Sequence, residues 1–131
     1  TLNGAAVSWA TKRQATVSHS TTEAEYVAAA MVAKEAVWLR RLLHDLTGVT
    51  KPMVMRCDNQ SALAMMRNAV CSARTKHIDV AYHFLREKVH DGELLPAHVP
   101  IGEMVADMLT KALPILSFST CRQEAGVPSY L

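Results

Sequence analysis

Three acidic residues, Glu25, Asp58 and Asp107, stand where they could do chemistry together. Each belongs to a different predicted element, as the ligands of a two-cation site must if they are to converge. Two such ions, roughly 4 Å apart, activate a water on one side of a phosphodiester and stabilise the leaving oxygen on the other. Carboxylate donors suit Mg²⁺ or Mn²⁺ rather than Zn²⁺. Each carboxylate also has a plainer reading. Asp58 precedes a helical pattern and could cap it, a role that aspartate often takes. Glu25 lies in Ser20-Thr21-Thr22-Glu23-Ala24-Glu25, where both Ser20 with Glu23 and Thr22 with Glu25 fit a capping box. Glu23 and Glu25 project about 200° apart on a helix, so one can serve the cap while the other does different work. Glu25, between Ala24 and Tyr26, is predicted to be the one facing inward. Asp107 interrupts the apolar run Val105-Ala106 and Met108-Leu109, where a helix interior disfavours it, so it faces water or a ligand.

The elements that would position these groups follow from spacing. Tyr26, Ala30, Ala33 and Val37, beside Val27, Met31, Trp38, Leu42 and Leu43, predict an amphipathic helix to about Asp45, ended by Gly48. After Lys51-Pro52, Met53 to Cys57 reads as a buried strand that delivers Asp58 to the mouth of the next helix, where open α/β sheets place their sites. Ala62, Leu63, Met65 and Met66 carry that helix to Arg67-Asn68. Ile78, Tyr82, Leu85 and Val89 mark a third helix, preceded by the basic connection Cys71 to His77. Arg74, Lys76 and His77 gather at its N-terminus, either to hold a phosphate or as splayed, solvated side chains. His83 and His90 lie two turns apart, too far to share one ion, and Asp79 and Glu87 stand where i,i+4 pairing would engage His83. Asp91-Gly92 reads as a turn, and Leu94 to Pro100 as a short strand that Pro96 assigns to an edge or a bulge. Near the start, Asn3-Gly4 predicts a hairpin turn followed by a strand over Ala5 to Ala10. That hairpin needs a partner, so the sequence reads as N-terminally truncated within the preceding strand. Lys12, Arg13 and Gln14 form a small basic step that reads as a solvated loop or strand end rather than a phosphate contact. Residues 102–111 are predicted as a last short helix stopped before Pro114, and 115–131 as a weakly patterned tail.

A chain of 131 residues, half of them hydrophobic, fits one globular domain. Its net charge of +2 is too small to advertise a nucleic-acid partner without local clustering. Cys57, Cys71 and Cys121 form no paired motif, which argues against a disulfide framework or zinc knuckle and for a reducing intracellular setting, cytoplasm or nucleus. No apolar run approaches the ~18 residues of a membrane span, so no membrane partner is expected.

The motifs Val7-Ser8-Trp9-Ala10-Thr11-Lys12-Arg13-Gln14, Ser20-Thr21-Thr22-Glu23-Ala24-Glu25-Tyr26, Cys57-Asp58-Asn59-Gln60-Ser61-Ala62, Arg74-Thr75-Lys76-His77-Ile78-Asp79, Tyr82-His83-Phe84-Leu85-Arg86-Glu87 and Ala106-Asp107-Met108-Leu109-Thr110-Lys111 resemble, in order, the ribonuclease H domain of Ty1/copia-type retrotransposon Pol polyproteins. The resemblance covers most of the chain. It implies an α/β, RNase H-like mixed sheet, an antiparallel hairpin plus parallel strands, flanked by helices over residues 1–114, with 115–131 as a tail. It implies metal-dependent hydrolysis of the RNA strand of an RNA–DNA hybrid with two Mg²⁺ or Mn²⁺ ions, and an upstream reverse transcriptase domain as a candidate partner. Glu25, Asp58 and Asp107 match three of the family's four metal-binding, catalytic carboxylates. The first, an aspartate on the opening strand, has no counterpart here. Asn59, Gln60, Arg74, Lys76 and His77 would touch the hybrid's backbone. The alternative is a non-catalytic RNase H-like remnant that binds nucleic acid or a partner.

Overall fold

Ser20 is extended, and its hydroxyl accepts the backbone N–H of Glu23 at 3.1 Å, which starts α1 (Thr21–Thr47). Of the two residues that could open a capping box, Ser20 and Thr22, Ser20 is the one that caps. In this computed structural model residues 3–14, 18, 20–68 and 79–128 are described. Tyr26, Ala30, Ala33 and Val37 form the buried line of α1, as their spacing predicts, whereas Met31, Trp38 and Leu42 are exposed. Gly48, at φ 69°, donates its N–H to the carbonyl of His44 at 2.7 Å and closes the helix in the left-handed conformation that glycine tolerates.

β1 (Met53–Cys57) and β2 (Leu94–His98) pair in parallel, in register from Met53 opposite Leu94 to Cys57 opposite His98. Parallel neighbours need a crossover, supplied by α2 (Gln60–Arg67) and α3 (Asp79–His90). Strand alternation turns Met55, Cys57 and Leu94 into the core and leaves Val54, Arg56 and Leu95 exposed. The core joins Tyr26, Ala30 and Ala33 of α1 to Met55 and Cys57, to Leu63 and Met66 of α2, to Tyr82 and Leu85 of α3, and to Leu94. The rings of Tyr26 and Tyr82 stack with centroids 4.0 Å apart, and the Tyr26 hydroxyl donates to the Tyr82 carbonyl at 3.3 Å. At the other end of α1, Arg40 pairs with Glu93, which also accepts from Lys88 at 3.1 Å. This ties α1 to the turn at Asp91-Gly92. Pro96 costs no ladder bond: its carbonyl accepts from Arg67 at 2.7 Å, so its backbone faces away from β1, at the edge expected for it.

Cα packing divides the chain into two compact units, Ser18–His98, just described, and Thr1–Val17 with Val99–Leu131. The second departs from expectation. The turn at Asn3-Gly4 forms, but Ala5 makes only an isolated bridge and the described residues of 6–14 form no strand. Strand edges need partners, and the Ala6 N–H is taken at 2.8 Å by the carbonyl of Ala125. The predicted helix over 102–111 is two 3₁₀ segments, Ile101–Glu103 and Val105–Leu109, because Met104 between them is extended (φ −78°, ψ 102°). The tail carries a helix that its pattern did not reveal, α4 (Ile115–Glu124). The chain is thus α/β with a parallel strand pair, and among the described residues the expected antiparallel hairpin is not formed.

Candidate metal centre

The cap that Asp58 could have made is made by its neighbour. Asn59 is extended, its Oδ1 accepts the Ala62 N–H at 2.9 Å, and its carbonyl accepts the Leu63 N–H at 3.0 Å. Asp58 is therefore left between the end of β1 and the start of α2 without the cap to explain it. There it meets Glu25: one carboxylate oxygen from each, together with Sγ of Cys57, all lie within 4.8 Å of one another. Among the described residues this is the group that brings three metal-ligating side chains together. Glu87, which i,i+4 spacing sets beside His83, pairs with Lys88 at 2.9 Å.

The three donors differ in setting. Asp58 is half-buried and Cys57 buried, while Glu25 is exposed rather than facing inward. The difference follows from helix geometry: the buried line of α1 starts at Tyr26, and Glu25 is turned about 100° from it. The site therefore has a buried floor of sulfur and a solvent-side wall of carboxylate. The Cys57 thiol donates weakly to the Asn59 carbonyl at 3.7 Å. Burial pushes its pKa up, and the charges of Glu25 and Asp58 push the same way.

Cys57 is the member that sequence reasoning missed. The cysteine spacing carries no sign of it; the signal is adjacency, the last residue of a buried strand next to a candidate ligand. Asp107 lies in the other unit, partly buried within the 3₁₀ segment Val105–Leu109. Its carboxylate pairs with Lys111 at 2.8 Å, and its carbonyl accepts the N–H groups of Thr110 and Lys111. Asn59 spends its amide oxygen on the cap, and Gln60, the first residue of α2, is exposed. Arg74, Lys76 and His77 lie outside the described residues.

Two carboxylate oxygens at one mouth fit a hard divalent cation such as Mg²⁺ or Mn²⁺, which binds through a few carboxylates and keeps several waters. On this donor chemistry Glu25 and Asp58 are the side chains that would hold it.

No family model and no solved structure matches the chain. Curated sequences do. The chain is 46% identical over 129 residues to the retrovirus-related Pol polyprotein from transposon TNT 1-94 of Nicotiana tabacum, a match covering 98% of this chain and 10% of that protein. It is 39% identical over 122 residues to the Pol polyprotein from transposon RE1 of Arabidopsis thaliana, and 38% identical over 122 residues to that from transposon RE2 of the same plant. Each of these two matches covers 92% of this chain and 8% of the relative. The chain thus spans about a tenth of the length of the curated relatives it matches.

Proposed function

The chain belongs with the Ty1/copia-type retrotransposon Pol polyproteins as a short segment of them, and from this membership and the site we propose that the segment is a ribonuclease H that cleaves the RNA strand of RNA–DNA hybrids. The observation that carries the reading is the meeting of Glu25 and Asp58, one from near the start of α1 and one just past the end of β1. When bound, divalent cations supply Lewis-acid activation of the phosphodiester and of the attacking water. The chain's own part is to hold and orient them. Asp58 does so from a rigid strand end fixed by the Asn59 cap, and Glu25 from the wall open to solvent, the side from which substrate arrives. Asp107, in the other unit, matches a further carboxylate of the family by resemblance alone. Asn59, Gln60, Arg74, Lys76 and His77 are assigned to the hybrid's backbone, which such proteins read by shape and 2′-hydroxyls rather than sequence. The reading places the chain inside the cell, with a reverse transcriptase upstream in the same polyprotein.

A second reading has an observation of its own. The Asp107 carboxylate is already neutralised by Lys111, which makes it a poorer cation ligand and favours a non-catalytic RNase H-like module that binds nucleic acid or a partner. Incubation of the folded chain with an RNA–DNA hybrid labelled on the RNA separates the two. The enzyme predicts cleavage in Mg²⁺ or Mn²⁺, lowered about 10²- to 10³-fold by Asp58→Asn, a few kcal/mol of lost barrier stabilisation. No cleavage at any concentration of either ion supports the module.

A further inference from the structure

We infer that Cys57 makes the Glu25–Asp58 site a mixed sulfur and oxygen site that captures a thiophilic divalent cation of the Zn²⁺ or Cd²⁺ class, in competition with Mg²⁺. Three observations carry this. The Cys57 sulfur and the two carboxylate oxygens all lie within 4.8 Å of one another, so small side-chain rotations bring them to a common centre. In such a site the metal sits about 2.3 Å from sulfur and about 2.0–2.2 Å from carboxylate oxygen. The donors are also arranged for entry. Cys57 is buried to 6% exposure, but Glu25 is exposed and Asp58 half-buried, so a cation reaches the sulfur past the carboxylates. Thirdly, among the described residues the sulfur is held by one long hydrogen bond, 3.7 Å to the Asn59 carbonyl, which an incoming metal displaces cheaply. On binding, an S–metal bond replaces the S–H bond and the proton leaves to solvent; no electron is transferred. Thiolate selects Zn²⁺ and its heavier relatives, whereas a site of oxygen and water alone suits Mg²⁺ and Mn²⁺. The buried cysteine therefore gives the site a second affinity that would hold it in a form unable to take up the hydrolytic ions. This inference uses the cluster of the proposed ribonuclease but not its activity.

The test is a titration of the full chain with Cd²⁺, followed by thiolate-to-metal charge-transfer absorption, with circular dichroism to confirm folding. The expected result is a band saturating near one equivalent. Cys57→Ser and Cys57→Ala abolish it, Glu25→Gln and Asp58→Asn each weaken binding at least about tenfold, and excess Mg²⁺ displaces the metal. Cys57→Ala guards against a folding defect peculiar to serine. A band indifferent to Glu25→Gln and Asp58→Asn, or one surviving in both Cys57 variants, overturns the inference. Hybrid cleavage without a Cys57-dependent band removes the inference and leaves the ribonuclease standing. The band without cleavage does the reverse.

Discussion

The unit Ser18–His98 and the unit of Thr1–Val17 with Val99–Leu131 are built by different means. Among its described residues the first has a sheet, three helices and a continuous apolar cluster in which Tyr26, Leu85 and Leu94 are fully buried. Among its described residues the second has two 3₁₀ segments and one α-helix, α4, on which Ile115 and Leu116 are each 80% exposed. It is held by close backbone approach: Gly126 sits at φ 73°, and a Cβ there would collide with the Gly4 carbonyl oxygen. The lesson concerns the site. Glu25 and Asp58 are mounted on the packed core, whereas Asp107 is mounted on short 3₁₀ turns and balanced by its own lysine.

The contrast is broken most strongly at Tyr26. Tyr26→Ala removes a fully buried ring stacked on Tyr82 and should cost about 3–5 kcal/mol, read as a lowered denaturation midpoint of the unit Ser18–His98. In the other unit the sensitive position carries no side chain at all. Gly126→Ala combines a clash with backbone and a left-handed φ, and should cost about 1–3 kcal/mol. Its effect should show as faster hydrogen exchange at the Ala6 amide, which bonds to the Ala125 carbonyl, while the amides of β1 stay protected. Equal loss of protection in β1 would mean that the division into two units is wrong.

A smaller effect sharpens the assignment within the first unit. Asn59→Ala should cost about 1 kcal/mol, the usual loss of a cap, whereas Asp58→Asn should leave the denaturation midpoint unchanged or raise it slightly by relieving repulsion with Glu25. The opposite order would return the capping role to Asp58.

These differences explain what could be read from the residues. The line Tyr26, Ala30, Ala33, Val37 and the run Met53 to Cys57 were legible because burial imposes a period, and the Ser20 cap because its chemistry is local. The choice between Asp58 and Asn59 was not legible: both are good caps, and backbone dihedrals decided between neighbours. Strand Ala5 to Ala10 failed because a strand is a property of a pair, and the helix over 102–111 failed because its apolar run hides an extended residue at Met104. α4 escaped because, of its own residues, only Cys121 is buried, too few positions to set a period.

The mildest effect is on pH. Burial raises the pKa of Tyr82, whose hydroxyl has no hydrogen-bond partner among the described residues. Hydrogen bonds to Glu87 and then Glu93 raise that of Lys88. Both groups hold their protons more tightly when folded. Their stabilising contribution is therefore complete below the unfolded values, about 10 and 10.4, and is lost as pH rises through the higher folded values. The denaturation midpoint should fall above about pH 10, and Glu93→Gln should flatten part of that fall.

The proposed ribonuclease requires Glu25 and Asp58 to act on one cation. A double-mutant cycle on Mn²⁺ affinity, followed by the electron paramagnetic resonance signal of the free ion, tests this directly with Glu25→Gln, Asp58→Asn and the double variant. Shared ligation predicts that each single change weakens binding and that the two are coupled by about 1 kcal/mol or more, so that the second change adds little to the first. Two losses that simply add, or affinity unchanged by either substitution, would contradict it.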